Sequence, residues 1–268
     1  MVCRYGFSNS SNCYGAVCSF VSGNGMDDVG TRMTIKDIED WEIKLAASFS
    51  NQAYDESITG AFRYDSKLGA TAFYVNHNGS QWVIYRGTQE ARDWLMNLSA
   101  IPWRAGKRWV HGGFAAAQSS VWKPIRKQLR MHRKTYCVGH SLGGACATIA
   151  ALKLQAAGFE DVRLITFGRP NVFLKSKKNM NLTCNVSVVS GSDIVATVPR
   201  VAYGPDGNRK QDIVYLANAS DIDYLNPSKE FRDNDRKGYL TEIVSDHNMT
   251  TSYLPRIQKL DLEDLCVT

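Results

Sequence analysis

Ser141 stands in Gly139-His140-Ser141-Leu142-Gly143, after the apolar run Tyr136-Cys137-Val138 and before an alanine-rich stretch from Ala145. A serine hydroxyl is a weak nucleophile unless a base takes its proton, and an imidazole base works best when a carboxylate fixes its tautomer. The Gly-x-Ser-x-Gly pattern has defined mechanics. A strand turns sharply into a helix, the serine takes an unfavourable backbone conformation, and side chains at the two glycine positions would collide with neighbouring backbone. The turn exposes the serine oxygen and aims the following N–H at the same space, where the helix N-terminus favours negative charge. The implied chemistry is attack on a carbonyl carbon. The bland alternative is a tight turn that contains a serine. The pentapeptide alone is a weak signal, and its flanks strengthen it because they read as the strand and helix that the motif requires.

The base and the acid must come from elsewhere in the chain. In α/β-hydrolases the order is serine, then acid, then histidine. Of five histidines, His247 alone follows Ser141. Asp161, Asp193, Asp206, Asp212, Asp221 and Asp223 all lie in the right order. Asp193 stands out because it directly follows the strand-like run 185–192, and ligand chemistry in open α/β sheets gathers at the carboxyl ends of strands. The other histidines read as structural: His77 in a hairpin turn, His132 in a basic run, His140 beneath the serine, and His111 in Val-His-Gly-Gly-Phe.

These side chains need a scaffold. Residues 34–53 read as an amphipathic helix, with Thr34 and Asp37 as a capping box and Ile35, Ile38, Leu45 and Phe49 on one side. Strands are expected over 59–65 and on both sides of Asn78-Gly79, a hairpin signal. A helix follows from Phe114, kinked or restarted at Pro124. Then come a buried strand at 135–139, a helix closing at Gly158, two β-branched strands at 162–168 and 184–190, and a late helix after Asp246. Residues 203–240 are polar and turn-rich and give no clear pattern. The order predicts an α/β fold: a mostly parallel central sheet with helices on both faces and antiparallel pairing at one side.

Composition sets outer limits. With 268 residues and 44% hydrophobic content the chain can bury one large domain, and no linker or repeat divides it. No stretch nears the roughly 18–20 apolar residues of a membrane span. The first twenty residues lack the apolar core of a signal peptide, so the reading leans to an intracellular protein, one exported by another route, or a processed chain. Seven cysteines cannot all pair together. Cys137 and Cys146 read as core residues, while Cys3, Cys13, Cys18 and Cys266 leave a disulfide open. No metal is expected, because no Cys/His cluster has zinc spacing. The net charge of +6 is concentrated in Lys123, Arg126, Lys127, Arg130 and Lys134. This reads as a solvated helix face, with weak attraction to an anionic lipid surface as the functional alternative. No nucleic-acid reading motif accompanies the charge. The Asn-x-Ser/Thr sites at Asn97, Asn181, Asn185 and Asn248 read as chance matches.

Several segments together carry a resemblance: VIYRGT (83–88), VHGGF (110–114), VGHSLGGA (138–145), LITFGRPNV (164–172) and SGSDIVATVP (190–199). Over residues 34–250 the sequence resembles the fungal-type class 3 lipase family of α/β-hydrolases. The resemblance implies a single lipase-like α/β-hydrolase domain at 34–268, with 1–33 an N-terminal extension of unknown structure. It places the nucleophile, acid and base on Ser141, Asp193 and His247. It puts the oxyanion hole on Thr88, through its N–H and hydroxyl, and on the N–H of Leu142. It aligns 88–98 with a lid helix whose apolar stripe includes Trp94, Leu95 and Leu98, and it matches Tyr54 to a tyrosine near the oxyanion hole. The disulfides of the fungal enzymes find no counterpart; Asp55 stands where one cysteine would lie.

The resemblance implies serine-dependent hydrolysis of acyl esters, lipids such as acylglycerols above all, through an acyl-enzyme, with no cofactor. The expected partners are a lipid or other acyl-ester substrate and a peripheral lipid surface, with no nucleic acid; nothing indicates an oligomeric state. Phospholipase A1, a feruloyl-type esterase acting on soluble esters, and an acyltransferase share the same three residues. The non-enzymatic alternative is a lipid-binding protein on a lipase scaffold, which would show decay at one of those positions.

Overall fold

A computed structural model describes residues 38–88, 101–105, 108–174, 182–191, 193–199, 203–204, 212–217, 223–237 and 245–267. The expected N-terminal extension, Thr34, Ile35, Asp37, Trp94, Leu95, Leu98, Cys3, Cys13 and Cys18 lie outside the described residues. The strands are β1 (Phe62–Asp65), β2 (Thr71–His77), β3 (Ser80–Tyr85), β4 (Pro102–Ala105), β5 (Arg108–His111), β6 (Thr135–His140), β7 (Val162–Phe167), β8 (Phe173–Leu174), β9 (Cys184–Ser190), β10 (Tyr203–Gly204), β11 (Asp212–Leu216), β12 (Asp223–Leu225) and β13 (Cys266–Val267). The helices are α1 (Asp40–Gln52), α2 (Gly112–Gln128), α3 (Leu142–Ala156), α4 (Lys229–Lys237) and α5 (Leu254–Lys259).

Among the described residues nine strands form one sheet in the order β1-β2-β3-β6-β7-β9-β11-β12-β13. Its centre, β3 to β11, is parallel throughout. The β1–β2–β3 side is antiparallel, turned by Asn78 and Gly79 at φ 48° and 75°. Positive φ at both turn residues is what a two-residue hairpin demands, which is why Asn-Gly marks one.

The central strands carry apolar residues at most positions because both faces are covered. Val83, Tyr85, Cys137 and Leu164 pack against α2 and α3 through Phe114, Val121, Ile125, Ala147 and Ile149. Trp82, Ile84, Tyr136, Val138, Ile165 and Phe167 face α1 and α5 through Ile43, Ala47, Phe49 and Ile257. Trp82 and Tyr136 stack there with ring centroids 3.8 Å apart. Cys137 and Cys146 are buried free thiols, as the sequence suggests. Burial pushes both thiol pKa values up, that of Cys146 to about 12.

One local reading needs correction. Helix α1 starts at Asp40, six residues later than the periodicity suggests, because Glu39 is the N-cap: the Glu39 N–H donates to the Glu42 carboxylate at 2.8 Å in a reciprocal capping box. Tertiary contacts favour this start, since buried Glu42 also accepts hydrogen bonds from the Tyr136 hydroxyl and from Arg163 Nη1, the latter at 3.3 Å. Pro124 lies inside α2 and does not restart it. A second sheet, β10-β8-β5-β4, has no clear sequence signal. Its strands come from the connections that leave the carboxyl ends of β3, β7 and β9, the edge where Ser141 lies.

Candidate active site

Ser141 occupies the corner between β6 and α3 with φ 58° and ψ −127°. A positive φ on a residue with a Cβ is strained, and such strain clusters at functional sites. The surroundings hold it there. Ser141 N–H donates to the Phe167 carbonyl at 2.9 Å, and its own carbonyl accepts from Ala145 N–H at 3.2 Å. Gly139 and Gly143 are small for backbone reasons. A Cβ on Gly139 would lie 2.5 Å from the Gly143 carbonyl oxygen, and one on Gly143 would overlap the Tyr85 carbonyl.

Asp193 and His247, 54 residues apart, are brought together: His247 Nδ1 donates to Asp193 Oδ2 at 2.9 Å. Asp193 is fully buried, so it needs donors, and among the described residues it has three. Oδ1 accepts from Val195 N–H at 2.8 Å, and Oδ2 also accepts from the Tyr253 hydroxyl at 2.6 Å. Tyr253 in turn accepts from Ser190 N–H at 3.0 Å. Burial and the neighbouring carboxylate drive the Tyr253 pKa far up, so it stays a donor. Sequence reasoning missed Tyr253, which reads there as one more residue of a late helix. His247 precedes Asn248, whose side chain accepts from the N–H groups of Thr250 and Thr251 and so caps the turn Met249–Tyr253. One cap therefore sets where both His247 and Tyr253 leave the backbone.

With Nδ1 donating, His247 Nε2 is left as an acceptor. It is buried, and no described residue bonds it, the Ser141 hydroxyl included. Such bonds often tighten only when substrate is present. The His247 ring nonetheless packs against the neighbours of the serine corner. Its centroid is 4.6 Å from that of His140, and Cε1 sits 3.1 Å from where a Cβ on Gly168 would be. Thr88, in the loop after β3, holds a buried hydroxyl with no described partner. Leu142 opens α3 and is buried. Tyr54 bonds His140 Nδ1 at 2.7 Å. Thr88, Ser141, Gly168 and Asp193 thus follow the carboxyl ends of β3, β6, β7 and β9, four adjacent parallel strands.

Gly168 offers a discriminating test. Its φ is +53°, and a Cβ there would sit 2.6 Å from Asp193 Oδ2, on the hydrogen bond itself. Gly158, at φ +82°, would meet nothing closer than Met131 Cε at 3.4 Å. Gly168→Ala is expected to cut kcat about 100-fold or more, the scale of an ångström misplacement. Gly158→Ala should lose about 1–2 kcal/mol of stability and keep kcat. Ester kinetics beside urea melts of both variants check this.

His140 and His111 are both buried, and burial depresses both imidazole pKa values, with the His247 charge adding to the effect at His140. The unfolded chain binds protons near pH 6.5 that the folded chain refuses. Stability is therefore full above that pH and falls as pH drops below it. Urea midpoints measured from pH 8 down to pH 5 should decline below about pH 7, and His111→Phe should make the decline shallower.

Residues 82–203, which include the Ser141 corner and Asp193, match the family model for class 3 lipases. Among curated relatives, "Secreted mono- and diacylglycerol lipase A" of Penicillium camembertii is 30% identical over 147 residues, 48% of this chain and 47% of the relative. The lipase of Rhizomucor miehei is 27% identical over 180 residues, 61% and 46% of the two chains. The chain thus spans less than half the length of either. Among solved structures, Lip2 lipase of Yarrowia lipolytica superposes with a TM-score of 0.58 at 14% identity, covering 79% of this chain and 92% of that one. The Rhizomucor miehei triacylglyceride lipase gives 0.56 at 19% identity, covering 66% and 80%. These likenesses establish the α/β-hydrolase fold.

Proposed function

We propose that the chain is a metal-independent serine hydrolase of carboxylic esters, with acylglycerol lipids as its substrate class. The observation that carries this reading is the buried His247–Asp193 hydrogen bond beside a serine held at positive φ. Ser141 Oγ attacks the ester carbonyl while His247 Nε2 takes its proton. Asp193 keeps the His247 proton on Nδ1 and stabilises the imidazolium. The N–H groups of Thr88 and Leu142, with the Thr88 hydroxyl, hold the tetrahedral oxyanion; one such donor is worth roughly 3–4 kcal/mol. The intermediate collapses, the C–O bond to the alcohol breaks, and His247 returns its proton to the departing oxygen. Water repeats the sequence in reverse and frees the acid.

The relatives named as mono- and diacylglycerol lipases support the substrate class. The lid reading of 88–98 adds Trp94 and Leu95 as the apolar cover that a lipid would displace. The basic stretch contributes little to this encounter. Arg130 and Lys134 precede the amino end of β6, and six residues of strand put that end about 20 Å from Ser141. Lys134 is also 3.8 Å from Glu42, and Arg126 lies over the Phe159 ring. A lipid surface that feeds the site meets the opposite edge of the sheet.

Ser141→Ala tests the reading. Hydrolysis of a short-chain nitrophenyl ester and of monoacylglycerol should fall about 10⁴-fold or more, with the thermal melt unchanged. Wild-type turnover in that variant would refute it. Turnover of phospholipid in preference to acylglycerol by the native chain would refute the substrate class alone.

A further inference from the structure

We propose that Tyr54 and His140 form a positioning pair that sets the ring of His247, coupling the base to the loop that carries Thr88. The inference rests on the reading of His247 as the base. Tyr54 Oη lies 2.7 Å from His140 Nδ1, and the two rings meet edge to face at 5.8 Å. Burial keeps the Tyr54 phenol protonated against the opposing pull of Arg86, and burial beside His247 keeps His140 neutral. A phenol O–H donating to Nδ1 leaves the single imidazole proton on Nε2. That Nε2 is buried beside the backbone of His247, without a well-formed hydrogen bond to it.

His247 is held from two sides. Asp193 fixes its Nδ1–H, and His140 backs its ring at 4.6 Å with 32° between the planes. Tyr253 closes the same cluster, edge to face with His140 at 5.5 Å. The charge of His140 matters here. When His247 takes the serine proton it becomes a cation, and a second cation in contact would oppose it. Neutral His140 adds no such repulsion.

Gly87 extends the device to the oxyanion side. A Cβ on Gly87 would overlap the Tyr54 hydroxyl and come 2.7 Å from the His140 carbonyl oxygen. The residue before Thr88 is thus small at the point where the pair passes. One hydroxyl sits against the loop before Thr88, the residue before Ser141 and, through the His140 ring, the base. Plain core packing makes a different forecast, because Tyr54→Phe preserves ring and volume and removes one oxygen.

The experiment compares the native chain with Tyr54→Phe, His140→Phe and the double variant. It measures kcat and KM on a soluble nitrophenyl ester, the thermal melt, and the far-downfield proton resonance of the His247 Nδ1–H bond to Asp193. Each single variant should lower kcat roughly 10- to 100-fold, with KM within about two-fold. The double variant should lose no more than the worse single, because both act through one path. The His247 resonance should shift or broaden in Tyr54→Phe while its melt stays close to wild type. Wild-type kcat with an unmoved resonance in Tyr54→Phe would overturn the inference, as would losses that add in the double variant. If His140→Phe fails to fold, Tyr54→Phe decides alone. A native chain without ester turnover would sink the ester reading, and the resonance would still decide whether the pair sets His247.

Discussion

Asp193→Asn is expected to lower kcat about 10⁴-fold with little change in KM. The reason lies in the donors around the carboxylate. Oδ1 takes the Val195 N–H, while Oδ2 takes both His247 Nδ1–H and the Tyr253 hydroxyl. An asparagine that keeps its oxygen toward Val195 turns an N–H₂ group toward two donors. His247 escapes by moving its proton to Nε2, the atom that must accept from Ser141. The ring then stays in place in the wrong tautomer. Turning the amide over instead leaves the Val195 N–H facing a donor, with similar damage to the loop after β9. The variant should fold, because Tyr253 can reorient its hydroxyl. Steady-state kinetics on a soluble ester check the loss. A fall of less than about ten-fold would mean that Asp193 does not set the His247 proton.

Gly143→Ala should be the most damaging single methyl among the described glycines. Its Cβ would overlap the Tyr85 carbonyl, 2.8 Å from the Tyr85 carbonyl carbon and 3.0 Å from the Arg86 carbonyl carbon. All three atoms are backbone, and Tyr85 is the last residue of β3, paired to Gly139 of β6. No side chain can swing away. Either the helix retreats from the sheet or Ser141 leaves its corner. Overpacking of this kind costs about 3 kcal/mol, a large share of the roughly 5–15 kcal/mol that holds a domain folded. Activity should vanish together with a drop in the urea midpoint at unchanged slope. A variant with native stability and turnover would show that the strand and helix do not meet as described.

These two sites mark what a sequence can reveal. Gly139, Ser141 and Gly143 are legible because a strand-to-helix corner admits few residue types at those positions. His247 is legible because chain order leaves one histidine, and the structure puts it on Asp193. Tyr253 is not legible, since its hydroxyl matters only after β9 and the last helices pack together, and a tyrosine in a late helix has many ordinary uses. Helix α1 shows how tertiary contacts choose a cap. Glu39-x-x-Glu42 is a weaker local signal than Thr34-x-x-Asp37, yet α1 begins from it because Glu42 also satisfies Arg163 and Tyr136 from other strands. The strands β4, β5, β8 and β10 are short, and their pairing depends on three separate connections meeting. Local periodicity carries little of that information.

The central claim is that Ser141 is the residue that takes the acyl group. Reaction of the native chain with a fluorophosphonate, followed by peptide mapping, tests it most directly. One phosphonyl group per chain, on the peptide that carries Ser141, is predicted, with ester turnover lost in proportion. An adduct on any other residue, or turnover abolished while Ser141 stays unmodified, would contradict it.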